Sequence, residues 1–362
     1  MLRTPFFDPE KTYEQNFDEG PFGDFTKGTA FSDQGDPQFS FLGNPVYLPF
    51  GIPAGPLLNG KYIEAALDKG FDIATYKTVR TKQYPTNKWP NVLAIKVDGD
   101  LTLELAEKGV VGTHNYIEPL AITNSFGVPS YDPSVWQPDL SAAAKYAKRG
   151  QVVVGSFQGT TNENGNIKDY IKDFVEAARM VKETGVKVLE VNLSCPNEGS
   201  AHLLCFDLKR TQQIVEAIKN EIGNTLLIIK IAYFAEQEQL EKLVTLVGKT
   251  VDAIAAINTI PAKVYDKNGN QALPGGPNRL RAGVCGYPIK WAGLSSVKRL
   301  KLFREKLGMN FFIIGVGGVT VPQDYVEYKN AGADAVMSAT GAMWNPFLAQ
   351  EIKKAVLSKN TV

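Results

Sequence analysis

The segment Val188-Leu189-Glu190-Val191-Asn192-Leu193-Ser194-Cys195-Pro196-Asn197 shows how the chain is organised. It begins with a short, mainly apolar run that is typical of a buried strand. Two amides, a hydroxyl, a thiol and a proline then follow within six positions. We therefore predict a buried strand at 186–191 that ends in a polar turn, with a reactive side chain at the mouth of the strand.

Seven further apolar runs of this kind are separated by segments with helical periodicity. The predicted strands are 47–56, 71–78, 151–157, 186–191, 226–232, 252–258, 311–314 and 334–338. The predicted helices are 61–69, 140–149, 169–184, 208–222, 236–247, 295–306, 322–331 and 346–356. Short strands without alternation, joined by helices, are typical of a parallel sheet that is buried on both faces. Eight of them favour an α/β (β/α)8 TIM barrel over an open sheet.

Some parts of the chain do not follow this repeat. Residues 1–45 are rich in Phe, Asp, Gly and Pro without a period, which predicts an extended N-terminal arm laid over the body, with a mobile tail as the alternative. Short antiparallel hairpins are predicted at the C-terminal rim of the barrel, in the Pro- and Asn-rich segment 80–102 and in the insertion 260–286. The insertion contains a hairpin-type turn at Lys267-Asn268-Gly269-Asn270. Segment 121–129 predicts a polar turn. We divide the chain into the arm, 1–45, and a barrel catalytic domain, 46–362.

Composition excludes several classes of protein. The 362 residues are 44% hydrophobic and 21% charged, as in ordinary globular proteins. A net charge of +1 argues against a broad nucleic-acid surface, and the longest apolar runs are too short to span a bilayer. The three cysteines form no CxxC pair, which predicts reduced thiols in the cytoplasm. The two histidines lack metal-ligand spacing, so we predict no metal site.

Unusual polar residues fall at the ends of six predicted strands. In a (β/α)8 barrel the C-terminal strand ends form one mouth, where the active site lies. We therefore expect these residues to share one site. They are Lys77, Asn192 with Cys195, Lys230, Asn258 with Thr259, the turn at 315–318 and the turn at 339–341.

Glycine-rich turns follow the last two predicted strands. Bare backbone N–H groups there can approach a phosphate near a helix N-terminus, and this paired location favours phosphate binding. The alternative is that glycine simply fits a tight turn. Gly248-Lys249-Thr250 resembles the end of a Walker motif, but Leu243 stands where that motif has glycine, so we exclude it.

Lys230 lies in the apolar run 226–232. Burying an ammonium is costly unless an anion or a strong acceptor meets it, and a reduced flavin, anionic at N1, would serve. The alternative is a lysine that reaches the rim or pairs with an internal carboxylate. The same reasoning applies to Lys77.

Cys195 has several possible roles. Most free cysteines are inert core residues, but this one lies beyond a strand and close to Asn192, Ser194 and Asn197. A thiol can be a nucleophile, a metal ligand or a base. Without ligand partners or a histidine placed beside it, a general base facing a bound planar substrate is the preferred interpretation. The asparagines, which offer both donors and acceptors, would hold the polar edge of that substrate.

From about Pro49 to the C-terminus these residues resemble the dihydroorotate dehydrogenase family. The most specific match is Asn192-Leu193-Ser194-Cys195-Pro196-Asn197, which is similar to the catalytic motif of class 1 members; class 2, the membrane-associated form, has serine in place of the cysteine. The supporting matches are Tyr76-Lys77-Thr78, Asn124-Ser125-Phe126-Gly127, Lys230, Asn258-Thr259, Gly317-Gly318 and Thr340-Gly341.

The resemblance implies FMN-dependent oxidation of (S)-dihydroorotate to orotate in pyrimidine synthesis, within an FMN-binding barrel. Cys195 would take the proton from C5 of the substrate while hydride passes from C6 to flavin N5, and Lys230 would stabilise the reduced flavin. The implied substrate residues are Lys77, Asn124, Ser125, Phe126, Gly127, Val128, Asn192, Asn197, Asn258 and Thr259. The implied cofactor residues are Ala54, Gly55, Lys77, Thr78, Asn124, Asn192, Lys230, Ile257, Gly286, Gly317, Gly318, Ala339 and Thr340.

Class 1 resemblance also implies a homodimer. The resemblance leaves open the electron acceptor, for which the candidates are fumarate, NAD through an iron–sulfur partner subunit, and another oxidant. The chain has no cluster-binding set of cysteines, so an iron–sulfur cluster would sit on another chain. The chain departs from the family in three places. It has Ala339-Thr340 where Gly-Thr is usual, and its segment 198–202 differs from the one in standard class 1 members. Its N-terminal arm is longer than in class 1 and is unlike the hydrophobic helix pair of class 2.

Other functions remain open. A different FMN barrel could reduce a free or tRNA-borne pyrimidine, although the net charge of +1 makes the tRNA substrate less suitable. A phosphate-binding isomerase or aldolase could use Lys230 or Lys77 as its amine, but it would leave the asparagine cluster without a purpose.

Overall fold

The computed structural model describes residues 2–161, 166–194 and 203–357. The strands are β1 (Phe39–Phe41), β2 (Asn44–Val46), β3 (Phe50–Ile52), β4 (Ile73–Val79), β5 (Ala94–Lys96), β6 (Val110–Thr113), β7 (Ala121–Asn124), β8 (Val152–Phe157), β9 (Val188–Asn192), β10 (Leu226–Ile231), β11 (Ala253–Ala256), β12 (Ile260–Tyr265), β13 (Arg281–Gly286), β14 (Phe312–Val316) and β15 (Ala335–Met337). The helices are α1 (Tyr13–Glu19), α2 (Gly60–Asp68), α3 (Leu103–Lys108), α4 (Pro133–Tyr146), α5 (Ile167–Glu183), α6 (Leu208–Ile222), α7 (Gln237–Val247), α8 (Lys290–Lys306), α9 (Pro322–Ala331), α10 (Thr340–Trp344) and α11 (Leu348–Leu357).

Eight parallel strands close into the predicted barrel, in the order β3, β4, β8, β9, β10, β11, β14 and β15, with β15 paired back to β3. Helices surround it and pack on their neighbours in the ring, as α5 does on α6 and α6 on α7. The prediction of a (β/α)8 barrel is therefore confirmed.

The lower half of the barrel interior is apolar. Small and branched side chains fill it in layers, as is usual for this fold. They include Ile73, Val154, Val188, Ile228 and Ile314. The hairpin of β1 and β2 closes this end with Phe41 and Val46, both fully buried. The polar residues predicted for the site are therefore confined to the opposite, C-terminal end.

A second sheet covers that C-terminal end. It joins strands of segment 80–102 and of the insertion 260–286, with β12 antiparallel to β13, β13 antiparallel to β7, and β7 paired with β5. β6 is antiparallel to β5 and pairs with β12, which closes this sheet on itself. The hairpin-type turn at 267–270 is present, with Gly269 at φ 82°. Segment 121–129 was predicted as a turn throughout, but Ala121–Asn124 forms a strand because β13, distant in sequence, pairs with it.

Three predicted elements had wrong bounds, and one of them, the helix predicted at 295–306, begins earlier, at Lys290. The first barrel strand spans only Phe50–Ile52 instead of 47–56, because prolines flank it at 49 and 53 and proline donates no ladder hydrogen bond. The helix predicted at 140–149 begins at Pro133, where Asp132 caps it by accepting a hydrogen bond from Ser134 N. Proline is favourable at a first helical position, so it marks a helix start here.

The arm is not extended throughout. It contains α1, whose capping box pairs the Thr12 side chain with Gln15. Phe6 and Phe7 are buried against the body, and the Tyr62 hydroxyl donates to Asn16 O at 2.7 Å. A helix of two turns is too short to give a visible period, which is why the sequence did not indicate it. The division of the chain into arm and catalytic domain stays a prediction.

Candidate active site

A cavity opens where the barrel strands end, beneath the second sheet. Its empty volume is about 1080 Å³ including the open mouth. Most of the predicted site residues line it. These are Ala54, Gly55, Lys77, Thr78, Asn124, Phe126, Val128, Asn192, Lys230, Asn258, Thr259, Ala339 and Thr340.

The remaining predicted residues do not contribute to the described lining. Ser125, Gly127, Ile257, Gly286 and Gly317 each adjoin a lining residue along the chain, and Gly318 is one position further on. Two others, the predicted base Cys195 and the predicted substrate ligand Asn197, lie outside the described residues.

A network of amides fixes the end of β9. Asn192 Nδ2 donates to Gln158 Oε1 at 2.9 Å, while Asn192 Oδ1 accepts hydrogen bonds from Ser194 N and Ser194 Oγ, both at 3.2 Å. Asn258 Nδ2 donates to Ser194 Oγ at 3.0 Å. Ser194 is buried and held on both sides, so the last described residue of this segment has a fixed position.

Lys230 has a buried carboxylate for a neighbour. Glu190 is 1% exposed and projects from the adjacent strand into the same cavity. Burial raises the pKa of Glu190, and the charge of Lys230 and a hydrogen bond from Ser156 lower it in part. Burial lowers the pKa of Lys230, while the nearby Glu190 and Cys285 raise it in part. An internal carboxylate therefore lies close enough to Lys230 to act on its charge, but the two side chains form no direct ion pair among the described residues, so the role of Lys230 stays a prediction.

Two hydroxyls hold one side of the Glu190 carboxylate. Ser156 Oγ donates to Glu190 Oε1 at 3.2 Å, so the Thr78 hydroxyl, 3.0 Å from Ser156 Oγ, is the donor in that second bond. Glu190 Oε2 is buried and has no hydrogen-bond partner among the described residues. A buried polar atom left in this way indicates a site that is completed by a ligand, a water or a proton.

Lys77 connects β4 to the loop that follows β7. It is 6% exposed, and its ammonium donates to Thr78 O at 3.3 Å and Pro129 O at 3.4 Å. Lys77 lines the cavity together with Asn124 and Val128.

Two arginines brace that loop. Arg279 Nη2 donates to both Ser125 O and Ser125 Oγ at 3.1 Å. Arg80 Nε donates to Val128 O at 2.9 Å. Val128 has φ 53°, an uncommon conformation for a β-branched residue. Such backbone strain persists only where the surroundings impose it, and it often occurs at binding sites.

One wall of the cavity comes from the arm. Phe7 is 3% exposed and meets the Phe126 ring edge-on, with ring centroids 5.4 Å apart. The chain is fastened beside it, because Phe6 N donates to Met343 O at 2.9 Å. Sequence analysis placed the arm over the body but did not assign any of its residues to the site.

The glycine-rich turn after β14 is sterically required. Gly317 and Gly318 have φ of 127° and 69°, and a Cβ on Gly318 would lie 2.6 Å from Lys290 Cβ. The Tyr328 hydroxyl donates to Gly317 O at 2.6 Å. The need for glycine is thus explained by the turn itself, and the role of this turn in phosphate binding stays a prediction.

Among the described residues, the thiol of Cys285 lines the cavity. Cys285 Sγ lies 3.5 Å from Ile122 O. Burial raises the pKa of Cys285 to about 11, although Thr340 and Lys230 act in the opposite direction. Cys205 is fully buried, and burial raises its pKa to about 12. Both thiols are therefore protonated at neutral pH and are poor bases.

Several lining residues were not predicted from the sequence. They are Phe7, Pro53, Pro56, Val92, Ile122, Glu190, Cys285, Val316 and Met343. Glu190 could have been found, because a carboxylate inside a predicted buried strand calls for the same explanation as Lys230. The apolar residues carry no such signal. Within the described ranges there is no cluster of three or more His, Cys, Asp or Glu suited to a metal ion, and no helix there is long and apolar enough to cross a bilayer.

Comparisons with known proteins agree with this architecture. The family model for dihydroorotate dehydrogenase matches residues 38–359. A dihydroorotate dehydrogenase of Dictyostelium discoideum is 35% identical over 370 residues, which cover 97% of this chain and 97% of that protein. A dihydroorotate dehydrogenase (quinone) of Arthrobacter sp. (strain FB24) is 25% identical and covers 84% of this chain and 80% of its own length.

A solved structure supports the fold. DHODH from Eimeria tenella in complex with ferulenol aligns with a TM-score of 0.70 at 20% identity, covering 92% of this chain and 88% of that chain. The family match over most of the chain and the Dictyostelium relative over nearly all of it lead to one conclusion: this chain belongs to the dihydroorotate dehydrogenase family.

Proposed function

We propose that this protein oxidises (S)-dihydroorotate to orotate with FMN as its bound cofactor. The observation that carries the proposal is the convergence of Lys230, Asn192 and Asn258 on one cavity, at the catalytic end of a barrel of this family. A cationic group at the base of the cavity and amides on its wall match a flavin and a planar, amide-rich substrate.

The residues present fit FMN. The buried ammonium of Lys230 requires an acceptor beyond the partial compensation that Glu190 gives, and Glu190 Oε2 has no partner within the described chain. When bound, FMN supplies the acceptor for the substrate hydride. Lys230 would stabilise the reduced cofactor. The residues that would hold FMN are Ala54, Gly55, Lys77, Thr78, Asn124, Asn192, Ile257, Gly286, Gly317, Gly318, Ala339 and Thr340.

Cys195 is the proposed general base, which removes the proton from C5 of the substrate. Two features support this choice. The amide network fixes Ser194, the residue directly before it. The thiols of Cys285 and Cys205 have pKa values raised by burial to about 11 and about 12, so they are less suited to accept a proton.

The proposed substrate ligands surround the same cavity. Amide side chains both donate and accept, so they can read the alternating N–H and C=O groups of a pyrimidine ring. The ligands would be Lys77, Asn124, Ser125, Phe126, Gly127, Val128, Asn192, Asn197, Asn258 and Thr259. Braced by Arg279 and Arg80, the loop following β7 would keep its place when substrate enters.

We also propose a homodimer, as the class 1 resemblance implies, and a location in the cytoplasm, as the absence of a CxxC pair or disulfide framework in the sequence predicts. The relatives include the NAD(+) type, such as the catalytic subunit from Thermodesulfovibrio yellowstonii, which is 27% identical over 51% of this chain, and the quinone type. Parallel assays with fumarate, with NAD plus an iron–sulfur partner subunit, and with a quinone would identify the acceptor.

The activity is tested on the purified protein. We expect it to be yellow, and anaerobic dihydroorotate should bleach the flavin absorbance band. A colourless protein that cannot be reconstituted with FMN would refute the proposal. Bleaching by NADPH but not by dihydroorotate would instead identify a pyrimidine reductase.

A further inference from the structure

Glu190 is a buried acid for which the proposed reaction has no use. It lies on β9, one inward-facing position above Val188 of the apolar interior and one below Asn192, so it forms part of the cavity floor. Its Oε1 is held by Ser156, and its Oε2 has no hydrogen-bond partner in the described chain. The side chain is therefore fixed in place with one oxygen still able to take a proton.

The charged and titratable groups around Glu190 are few. Lys230 faces it from β10, while Lys77 from β4 and Cys285 from β13 line the same cavity. Ser156 is the partner on β8. Burial raises the pKa of Glu190 and lowers that of Lys230, each opposed by the other's charge. Within the described lining, Glu190 thus balances part of the charge of Lys230.

This balance changes when the site gains a negative charge. The positive charge of Lys230 then interacts with two anions, the Glu190 carboxylate and the reduced cofactor. In a pocket shielded from water, a nearby unit negative charge raises the proton affinity of a carboxylate by roughly one to two orders of magnitude. Burial already raises the pKa of Glu190, and the added negative charge acts in the same direction, so the unpartnered Oε2 is the atom at which a proton would be gained.

We propose that Glu190 is a charge-balancing residue that takes up one proton from solvent when the bound flavin is reduced and releases it on reoxidation. The inference rests on the proposed function, since it requires FMN in this cavity. The proton is gained at the Oε2 oxygen, which is the free one. Two electrons and one proton then enter with reduction of the cofactor, and a second proton is stored on Glu190, so two protons accompany two electrons.

The test is a potentiometric titration of the bound flavin with chemical mediators across neutral pH, for wild type and Glu190→Gln. A two-electron couple changes tenfold for about 30 mV, so two protons give a slope of about 60 mV per pH unit and one proton gives about 30 mV per pH unit. We expect the steeper slope in wild type and the shallower one in Glu190→Gln. The flavin reduction potentials of wild type and Glu190→Gln should converge at low pH, where Glu190 is protonated in both redox states. At high pH the flavin of the variant should be the more easily reduced, because the variant lacks the negative charge of Glu190. Equal slopes would overturn the proposal.

Ser156→Ala is the matched control, because it keeps the carboxylate and removes only the hydrogen bond to Oε1. Losing a bond that favours the ionised form raises the carboxyl pKa. The steep region should therefore remain but move to higher pH. Loss of the steep region in this variant would contradict a role for the carboxylate itself.

A second measurement does not require any variant to fold. The reduced-minus-oxidised infrared difference spectrum of the wild-type protein should show a new protonated-carboxyl band that shifts in D2O. Absence of this band would also overturn the proposal. A protein that binds no FMN would refute the proposed function and this inference together, whereas a reducible flavin with one-proton behaviour would refute the inference alone.

Discussion

Replacing Lys230 with methionine removes the cation beside Glu190 and leaves the acid buried. Removing one partner of a buried pair usually costs about 3–5 kcal/mol. Here the cost has a ceiling, because Glu190 can be protonated instead. The ordinary carboxyl pKa is 4.5, so protonating this group at pH 7 costs at most about 3.5 kcal/mol, at about 1.4 kcal/mol per pH unit.

The sign of the pH dependence follows from the protons bound in each state. In Lys230→Met the folded chain holds Glu190 protonated, while the unfolded chain is ionised above the ordinary pKa of 4.5. Folding then takes up a proton, so stability falls as pH rises. We expect Lys230→Met to be destabilised by about 3 kcal/mol relative to wild type at pH 7, and this deficit should shrink by roughly 1.4 kcal/mol per pH unit toward pH 5.

Urea unfolding of the flavin-free proteins at several pH values measures this, since bound FMN would add its own stabilisation. The double variant Lys230→Met/Glu190→Gln is the control, because it replaces the titrating acid with a neutral amide. The free energy of unfolding of the double variant should therefore differ from that of wild type by an amount that does not change with pH. A deficit in Lys230→Met that is the same at all pH values, or that persists unchanged in the double variant, would refute the electrostatic reasoning.

Three further outcomes are expected. Phe7→Ala should raise KM for dihydroorotate several-fold, because the part of the cavity wall that packs against Phe126 is lost. The control variant Phe7→Leu should have a KM closer to that of wild type. Unchanged steady-state kinetics in Phe7→Ala would show that the arm is not part of the site. Arg279→Lys should also raise KM, since lysine cannot reproduce the paired bonds to Ser125; an unchanged KM would show that the brace is dispensable. Cys195→Ala should keep FMN but nearly abolish reduction by dihydroorotate in stopped-flow, while the serine variant should keep some activity that declines at lower pH. Full activity of Cys195→Ala would remove the base assignment.

The barrel could be predicted because its determinants are local. Each buried strand is a short apolar run, and each is followed by a helical segment, so order along the chain implies order around the barrel. The position of Lys230 and Asn192 at strand ends then placed them at one mouth, and both line the cavity.

Other features depend on contacts that sequence order does not reveal. The strand at Ala121–Asn124 exists because it pairs with β13, far along the chain. Phe7 reaches the cavity only through the path of the arm, which no periodicity encodes. Glu190 was hidden for a different reason. Its strand was correctly predicted, but only the inward-facing set of Val188, Glu190 and Asn192 shows that the acid faces the site.

The most direct test of the account is an anaerobic titration of the purified protein with dihydroorotate, followed by the flavin absorbance and by orotate formed. The account predicts that the flavin band bleaches and that orotate appears in equal amount to the flavin reduced. A bound flavin that mediators can reduce, but that dihydroorotate leaves oxidised, would contradict it.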